Sequence, residues 1–138
     1  MTHPVITQRL AERERAIGTA RAWAAQLTGS HIVAVVVVGS FARGDFNKWS
    51  DIDVLVVADR LPGALLARLA MLGASAPPGL QPIGWTVAEL ARRWRERDPL
   101  ALEAYEAGVV VRGALPSLGR KPGASTTARP GARLRRGT

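Results

Sequence analysis

Hydrophobic residues follow two different periods in the first half of the chain. From Thr7 to Thr28 they recur at helical spacing among charged residues, which predicts a helix that ends near Gly29. The segments "HIVAVVVV" (31–38) and "DIDVLVVA" (51–58) are rich in β-branched residues and show no regular polar alternation. Such runs are typical of strands that are covered on both faces, so we predict two buried strands here.

The middle of the chain predicts a further helix and a further strand. Pro62 opens a segment with leucines at helical spacing that continues to Gly73. After the Pro-Pro-Gly turn at 77–79, "LQPIGW" (80–85) predicts a short strand. Because proline cannot donate a ladder hydrogen bond, Pro82 favours an edge position for this strand.

Two more helices and a last strand follow. Thr86 and Glu89 have the spacing of a capping box and open a helix that runs to about Arg97. "LALEAYEAG" (100–108) predicts a shorter helix, and "VVVR" (109–112) predicts a terminal strand. The pattern therefore predicts an α+β domain.

The end of the chain differs in composition from the rest. Residues 116–138 are rich in Gly, Pro, Ser, Thr and Arg and lack apolar periodicity, so we predict a domain over residues 1–115 and a disordered basic tail over 116–138. The tail carries six of the 19 basic residues and none of the 11 acidic ones, which leaves residues 1–115 with a net charge of only +2 out of +8. Clustered arginines can bind nucleic-acid phosphates, but the tail has no aromatic residue to stack on a base. Nucleic-acid binding is therefore not the favoured interpretation.

Cysteine is absent from the sequence, which excludes disulfides, thiolate zinc sites and cysteine nucleophiles. No segment approaches the roughly 18 consecutive apolar residues of a membrane span, and the N-terminal residues do not resemble a secretory signal. We therefore expect a cytoplasmic protein without a membrane partner.

Asp51 and Asp53 place two carboxylates in an otherwise apolar run. Strand side chains alternate between faces, so these carboxylates are predicted to point the same way, about 6 to 7 Å apart. A divalent cation would remove their repulsion, and Mg²⁺ accepts carboxylate oxygens together with water and phosphate oxygens. The alternative is that Ser50 and Asp51 cap a turn and Asp53 pairs with an arginine.

The turn between the two valine-rich strands supplies groups that bind anions. Gly39 allows a close backbone approach, Ser40 offers a hydroxyl and an amide, and a short helix beginning near Phe41 would direct free N–H groups at a phosphate. Arg43 can neutralise phosphate oxygens in a forked geometry, or it can simply pair with Asp45 at the surface. The turn is thus a candidate phosphate cradle next to a candidate metal pair.

Gly39-Ser40, ten further residues and then Asp51-Ile52-Asp53, with "ARG" and "SDIDVLV" in place, form a pattern that resembles the nucleotidyltransferase superfamily of the DNA polymerase β type. More closely, it is similar to the minimal nucleotidyltransferases of bacteria and archaea, over roughly residues 7–112. The resemblance implies a small mixed β-sheet flanked by helices. It also implies that Gly39 and Ser40 bind a nucleoside triphosphate, while Asp51 and Asp53 carry two Mg²⁺ ions that activate an acceptor hydroxyl.

The same resemblance implies a substrate and a partner. Such proteins transfer AMP from ATP, and many are antitoxins of a helical HEPN-domain toxin, which they neutralise by binding it or by adenylylating a tyrosine. The toxin-antitoxin assignment and the HEPN-type partner are therefore expectations drawn from the family.

One position departs from the family pattern. The family usually has a third acidic residue on the next strand, and Gln81 stands at that position, where a neutral amide cannot accept a hydroxyl proton. Asp59 lies too far along its strand to replace it, and Glu89 is better explained by the capping box. Two hypotheses follow: an enzyme that transfers AMP to a protein hydroxyl, or a catalytically impaired protein of the same fold that binds and occludes a partner protein.

Overall fold

The computed structural model describes residues 3–29 and 31–119. In chain order they form α1 (Pro4–Gln26), β1 (Ile32–Val38), α2 (Gly39–Arg43), β2 (Ile52–Ala58), α3 (Leu65–Gly73), β3 (Leu80–Thr86), α4 (Val87–Arg95), α5 (Pro99–Glu106) and β4 (Val109–Gly113). Within these residues, none of the helices has the length and apolar character needed to cross a membrane. The predicted tail lies outside the described residues from residue 120 onward.

The four strands form one mixed sheet in the order β3-β2-β1-β4. β1 runs antiparallel to both β2 and β4, whereas β2 and β3 are parallel. The predicted small mixed sheet flanked by helices is thus confirmed. β3 lies at an edge of the sheet, as predicted from Pro82. An edge strand has no neighbour on its outer side, so a proline without an N–H is tolerated there.

Helices cover both faces of the sheet, as the uninterrupted valine runs of β1 and β2 predict. One face packs with α1, α2 and α3, and its core includes Trp23, Val35, Val54 and Leu72. The other face packs with α4 and α5, and its core includes Leu55, Trp85, Leu90 and Trp94. The central strands are therefore buried from both sides.

The predicted boundaries shift where side chains bind the backbone. α1 begins at Pro4, three residues earlier than predicted, because the His3 side chain accepts the Val5 N–H and caps the helix. α3 begins at Leu65 rather than Pro62, since the Pro62 carbonyl accepts a hydrogen bond from Arg68 instead of entering the helix. The capping box of α4 is present as predicted.

Residues 114–119 follow β4 without forming a helix or strand. The Tyr105 hydroxyl donates a hydrogen bond to the Pro116 carbonyl, and Leu115 and Leu118 pack against the α4–α5 side of the core. The first residues after the predicted boundary at 115 therefore lie against the domain.

Candidate active site

The junction between β1 and α2 requires glycine. Gly39 is the first residue of α2 and has a φ of +74°, in the left-handed region that side chains disfavour. A Cβ added to Gly39 would lie 2.5 Å from Asp53 Oδ2 and 3.3 Å from the Asp53 Cβ. The glycine thus lets the chain turn and lets an aspartate approach the backbone of that turn.

The far end of α2 is held by two arginines of α1. Arg13 donates from Nε to the Phe41 carbonyl at 2.8 Å and from Nη2 to the Ala42 carbonyl at 3.0 Å. Arg9 donates to the Gly44 and Phe46 carbonyls at 3.0 and 2.8 Å. Both cations lie where a helix exposes unpaired carbonyl oxygens, so they fix the orientation of α2.

Asp53 lies near the start of β2, where its Cα pairs with that of Val38, the residue before Gly39. Its side chain is partly buried. Burial raises the pKa of the Asp53 carboxyl, the negative charges of Asp51 and Glu103 raise it further, and Arg43 lowers it. Negative charge is therefore undercompensated around Asp53, which is a property of sites that accept a cation.

Asp51 lies just before β2, which begins at Ile52 and not at Asp51 as predicted. It is exposed and does not line the cleft described below, yet it is near enough to affect the pKa of Asp53. Because Asp51 lies outside the strand, the alternation that predicted a common face for both side chains does not apply to it. The electrostatic link between the two carboxylates is present nevertheless.

A cleft of about 510 Å³ opens where the central strands end. Four of the five predicted site residues line it: Gly39, Ser40, Arg43 and Asp53. The rest of its lining comes from β1, β3 and α5: Val38, Ile83, Pro99, Leu100 and Glu103. The cleft thus combines the predicted phosphate cradle, one of the predicted metal ligands and a helix that the sequence did not link to the site.

Arg43 bonds to two carboxylates, one of which is Asp45, as the pairing alternative predicts; its role in binding phosphate stays a prediction. Its Nε lies 3.2 Å from Asp45 Oδ2, and its Nη1 lies 2.7 Å from Glu103 Oε1. The hydrogen bond to Glu103, followed by that to Asp45, raises the pKa of the Arg43 guanidinium. A charged guanidinium therefore stands at the wall of the cleft.

Glu103 is the site residue that sequence reasoning missed. Its Oε2 accepts the Gly39 N–H while its Oε1 accepts from Arg43, so one carboxylate binds two of the predicted phosphate-binding groups. Nothing in "LALEAYEAG" distinguishes Glu103 from Glu106, one turn further along the helix. Only the packing of α5 on the sheet reveals which glutamate enters the cleft.

Gln81 is the direct neighbour of Asp53 on the parallel strand β3. Neighbours in register on adjacent strands project to the same face, so Gln81 and Asp53 lie side by side. Gln81 is exposed. The position beside Asp53 thus carries a neutral amide, as the resemblance to the family implied.

The carboxylates near the cleft can be compared with the ligands that a magnesium ion requires. Within residues 3–29 and 31–119, no three His, Cys, Asp or Glu side chains gather as a metal cluster. Mg²⁺ is commonly bound by one or two carboxylates, with water and substrate phosphate as its other ligands. The partly buried carboxylate of Asp53, with Asp51 near enough to raise its pKa, thus fits the donor chemistry of a divalent cation that arrives with a phosphate-bearing substrate.

The fold and the cleft define a class: an α+β domain whose mixed sheet ends in a glycine turn facing a carboxylate and an arginine. The sequence profile of the nucleotidyltransferase domain matches residues 22–116, so the chain belongs to the nucleotidyltransferase domain family. Members of this family generally use a nucleoside triphosphate and a divalent metal. The resemblance of the motifs to the nucleotidyltransferase superfamily is confirmed, while the HEPN-type partner stays a prediction.

The fold is similar to a crystal structure from Sulfolobus solfataricus, of a protein described as a candidate nucleotidyltransferase. The two chains are 20% identical with a TM-score of 0.50, and the match covers 80% of this chain and 87% of that one. At this identity the similarity concerns the fold alone. The comparison with curated proteins finds no match.

Proposed function

We propose that this protein is a Mg²⁺-dependent adenylyltransferase that moves AMP from ATP to a hydroxyl group of a partner protein. The observation that carries the proposal is the cleft that brings Gly39, Ser40 and Arg43 together with Asp53. Membership of the nucleotidyltransferase domain family supports the general activity. The choice of ATP, magnesium and a protein acceptor belongs to the proposal and is more specific than the family assignment.

Each residue has a distinct role in this scheme. Gly39 and Ser40 bind the triphosphate through backbone and hydroxyl groups, and Arg43 neutralises phosphate oxygens. Asp51 and Asp53 hold the metal, with up to two ions when phosphate is present. When bound, the metal supplies positive charge that stabilises the leaving pyrophosphate and the developing charge at the reacting oxygens.

The reaction is a displacement at the α-phosphorus of ATP. The acceptor hydroxyl oxygen forms a bond to the α-phosphorus, the bond from that phosphorus to the bridging oxygen of the β-phosphate breaks, and pyrophosphate leaves. The hydroxyl proton passes to a nearby base or to water. The residues of this chain act mainly by orienting the phosphates and by placing charge around them.

The partner in this proposal is a helical protein of the HEPN type, and the protein is the antitoxin of the pair. The resemblance of Gly39-Ser40 and Asp51-Ile52-Asp53 to the minimal nucleotidyltransferases supports this choice of partner. A cytoplasmic location, favoured by the absence of cysteine, belongs to the same proposal.

A second candidate function rests on Gln81. Because an amide stands beside Asp53, that position can neither accept a proton nor offset metal charge. A protein with this defect would retain the fold and occlude its partner without chemistry. Co-purification of an unmodified helical partner would support this second candidate.

The experiment that tests nucleotide binding is calorimetric titration of ATP into the protein with and without Mg²⁺. Asp51→Asn/Asp53→Asn is compared with Asp59→Asn, which removes one carboxylate just beyond the far end of β2. We expect Mg²⁺-dependent binding by the wild type and by Asp59→Asn, and at least about ten-fold weaker binding by the double variant. Circular dichroism verifies that each variant is folded.

Transfer is then tested with ATP labelled at the α-phosphate and the co-purified partner. Label that appears on the partner in the presence of the wild type, and is absent with the double variant, supports the enzyme. A folded wild type that binds no ATP at any Mg²⁺ concentration contradicts the enzyme and leaves the binding protein as the better account.

A further inference from the structure

A carboxylate of α5 already binds the groups that the proposed function assigns to phosphate. Glu103 Oε2 accepts the Gly39 N–H, and Glu103 Oε1 lies 2.7 Å from Arg43 Nη1. We infer that Glu103 closes the anion position of the cleft, and that a nucleoside triphosphate must displace this carboxylate in order to bind. This inference rests on the proposed function, because it concerns the same site.

Carboxylate and phosphate cannot share this position. A backbone amide has a single hydrogen, so Gly39 cannot donate a full hydrogen bond to phosphate while it donates to Glu103. The two ligands are also both anions, and they repel each other at contact distance in a partly buried cleft. Glu103 therefore acts as a competitor that is tethered to the site.

The backbone of α5 is held too firmly to move away as a unit. Asp98 caps its N-terminus by accepting the Leu100 and Ala101 N–H groups, and Ala101 and Ala104 are buried against the sheet. At its other end a Cβ on Gly108 would meet the side chain of Val36 on β1 at 2.5 Å. The opening step is therefore rotation of the Glu103 side chain, which is 20% exposed.

This arrangement predicts how affinity depends on Glu103. The apparent affinity for an anion is reduced by the fraction of molecules in which the position is open. An aspartate at position 103 keeps the charge but is shorter by one methylene, about 1.5 Å, so it cannot reach the Gly39 amide from a fixed helix. Glu103→Asp therefore distinguishes the effect of a carboxylate bound to the Gly39 amide from the effect of a negative charge on α5.

The test measures binding of inorganic tripolyphosphate with Mg²⁺, and of ATP with Mg²⁺, by calorimetry. We expect Glu103→Asp and Glu103→Ala to bind both probes about ten-fold more tightly than the wild type, equivalent to about 1.4 kcal/mol. The matched control is Asp45→Asn, which removes a carboxylate from the same Arg43 without touching Gly39. Because the Arg43–Asp45 pair is exposed, Asp45→Asn should change the affinity for either probe by less than about three-fold.

The amide proton of Gly39 gives a second readout that is independent of affinity. In the wild type its NMR resonance should lie downfield, because it donates to a carboxylate. It should move upfield in Glu103→Ala and return downfield when tripolyphosphate is added. Asp45→Asn should leave it unchanged.

The outcomes separate this inference from the proposed function. If both Glu103 variants bind ATP with wild-type affinity, or if Asp45→Asn tightens binding as much as they do, Glu103 does not close the site, while the nucleotide site stands. If no variant binds either probe, the proposed function fails, and the inference fails with it.

Discussion

Replacing Gly39 with alanine tests the central geometric claim about the site. The added methyl would lie 2.5 Å from Asp53 Oδ2, so the carboxylate must rotate away; it would also lie 3.3 Å from the Asp53 Cβ, a close contact that side-chain rotation does not relieve. A matched control exists at the other end of α2, where Gly44 is the C-cap residue. Gly44 has a φ of +92°, but a Cβ there would meet no atom within 4 Å.

The two substitutions share one cost and differ in another. Placing an alanine in the left-handed region costs about 1–2 kcal/mol, partly offset by the lower entropy of the unfolded chain. We therefore expect Gly44→Ala to lower the free energy of unfolding by about 1 kcal/mol. Gly39→Ala adds about 0.5–1.5 kcal/mol for forcing Asp53 off its rotamer, so it should lose about 2 kcal/mol.

The assay is urea denaturation at 25 °C, followed by titration of ATP and Mg²⁺ into the folded variants. Gly39→Ala should lose Mg²⁺-dependent binding because it displaces Asp53, whereas Gly44→Ala should retain it. Equal losses of stability and equal binding in the two variants would refute the reasoning, because the contact between Gly39 and Asp53 would then have no consequence.

Two further predictions concern stability. Hydrogen bonds from Arg68 hold the pKa of Glu89 at about 2, so the stability that Glu89 contributes is present above pH 4.5 and is lost as the pH falls toward 2. Urea denaturation should show that the free energy of unfolding falls by about 2 kcal/mol between about pH 6 and pH 3. The fall should be smaller in Glu89→Gln. If that variant has the wild-type pH dependence, the assignment is wrong. Arg13→Met removes two hydrogen bonds to the end of α2 and should cost about 1–2 kcal/mol in the same assay. Arg15→Met, on an exposed position of α1, should cost less than about 0.5 kcal/mol, and equal costs would show that Arg13 does not hold α2.

Local patterns were sufficient to predict the strands and the glycine turn. The uninterrupted valine runs of β1 and β2 predict strands that are buried on both faces. Pro82 predicts an edge strand, and β3 lies at an edge of the sheet. The pairing of Gln81 with Asp53 agrees with the position that the family resemblance implied for a third acidic residue. These features depend on residues that are close together in sequence, or on the period of a single element.

The misplaced features depend on contacts that the spacing of residues does not show. The start of α3 depends on Arg68 and its hydrogen bond to Pro62, a use of the arginine that spacing does not show. The role of Glu103 depends on how α5 crosses β1, which is determined by close packing around Gly108. Helical periodicity shows which face of α5 is apolar, but not which polar residue at its margin meets the end of a strand.

The two walls of the cleft differ in how they can change. Gly39 and Asp53 are continuous with β1 and β2, the two central strands, in which residues 35–38 and 54–57 are at most 1% exposed. Amide hydrogens in such strands exchange with solvent mainly when the whole domain unfolds. The opposite wall changes by rotation of one side chain on α5. Affinity for the bound anion can therefore change by substitution at Glu103 alone, because this side chain is not part of the buried core that holds Gly39 and Asp53 in place.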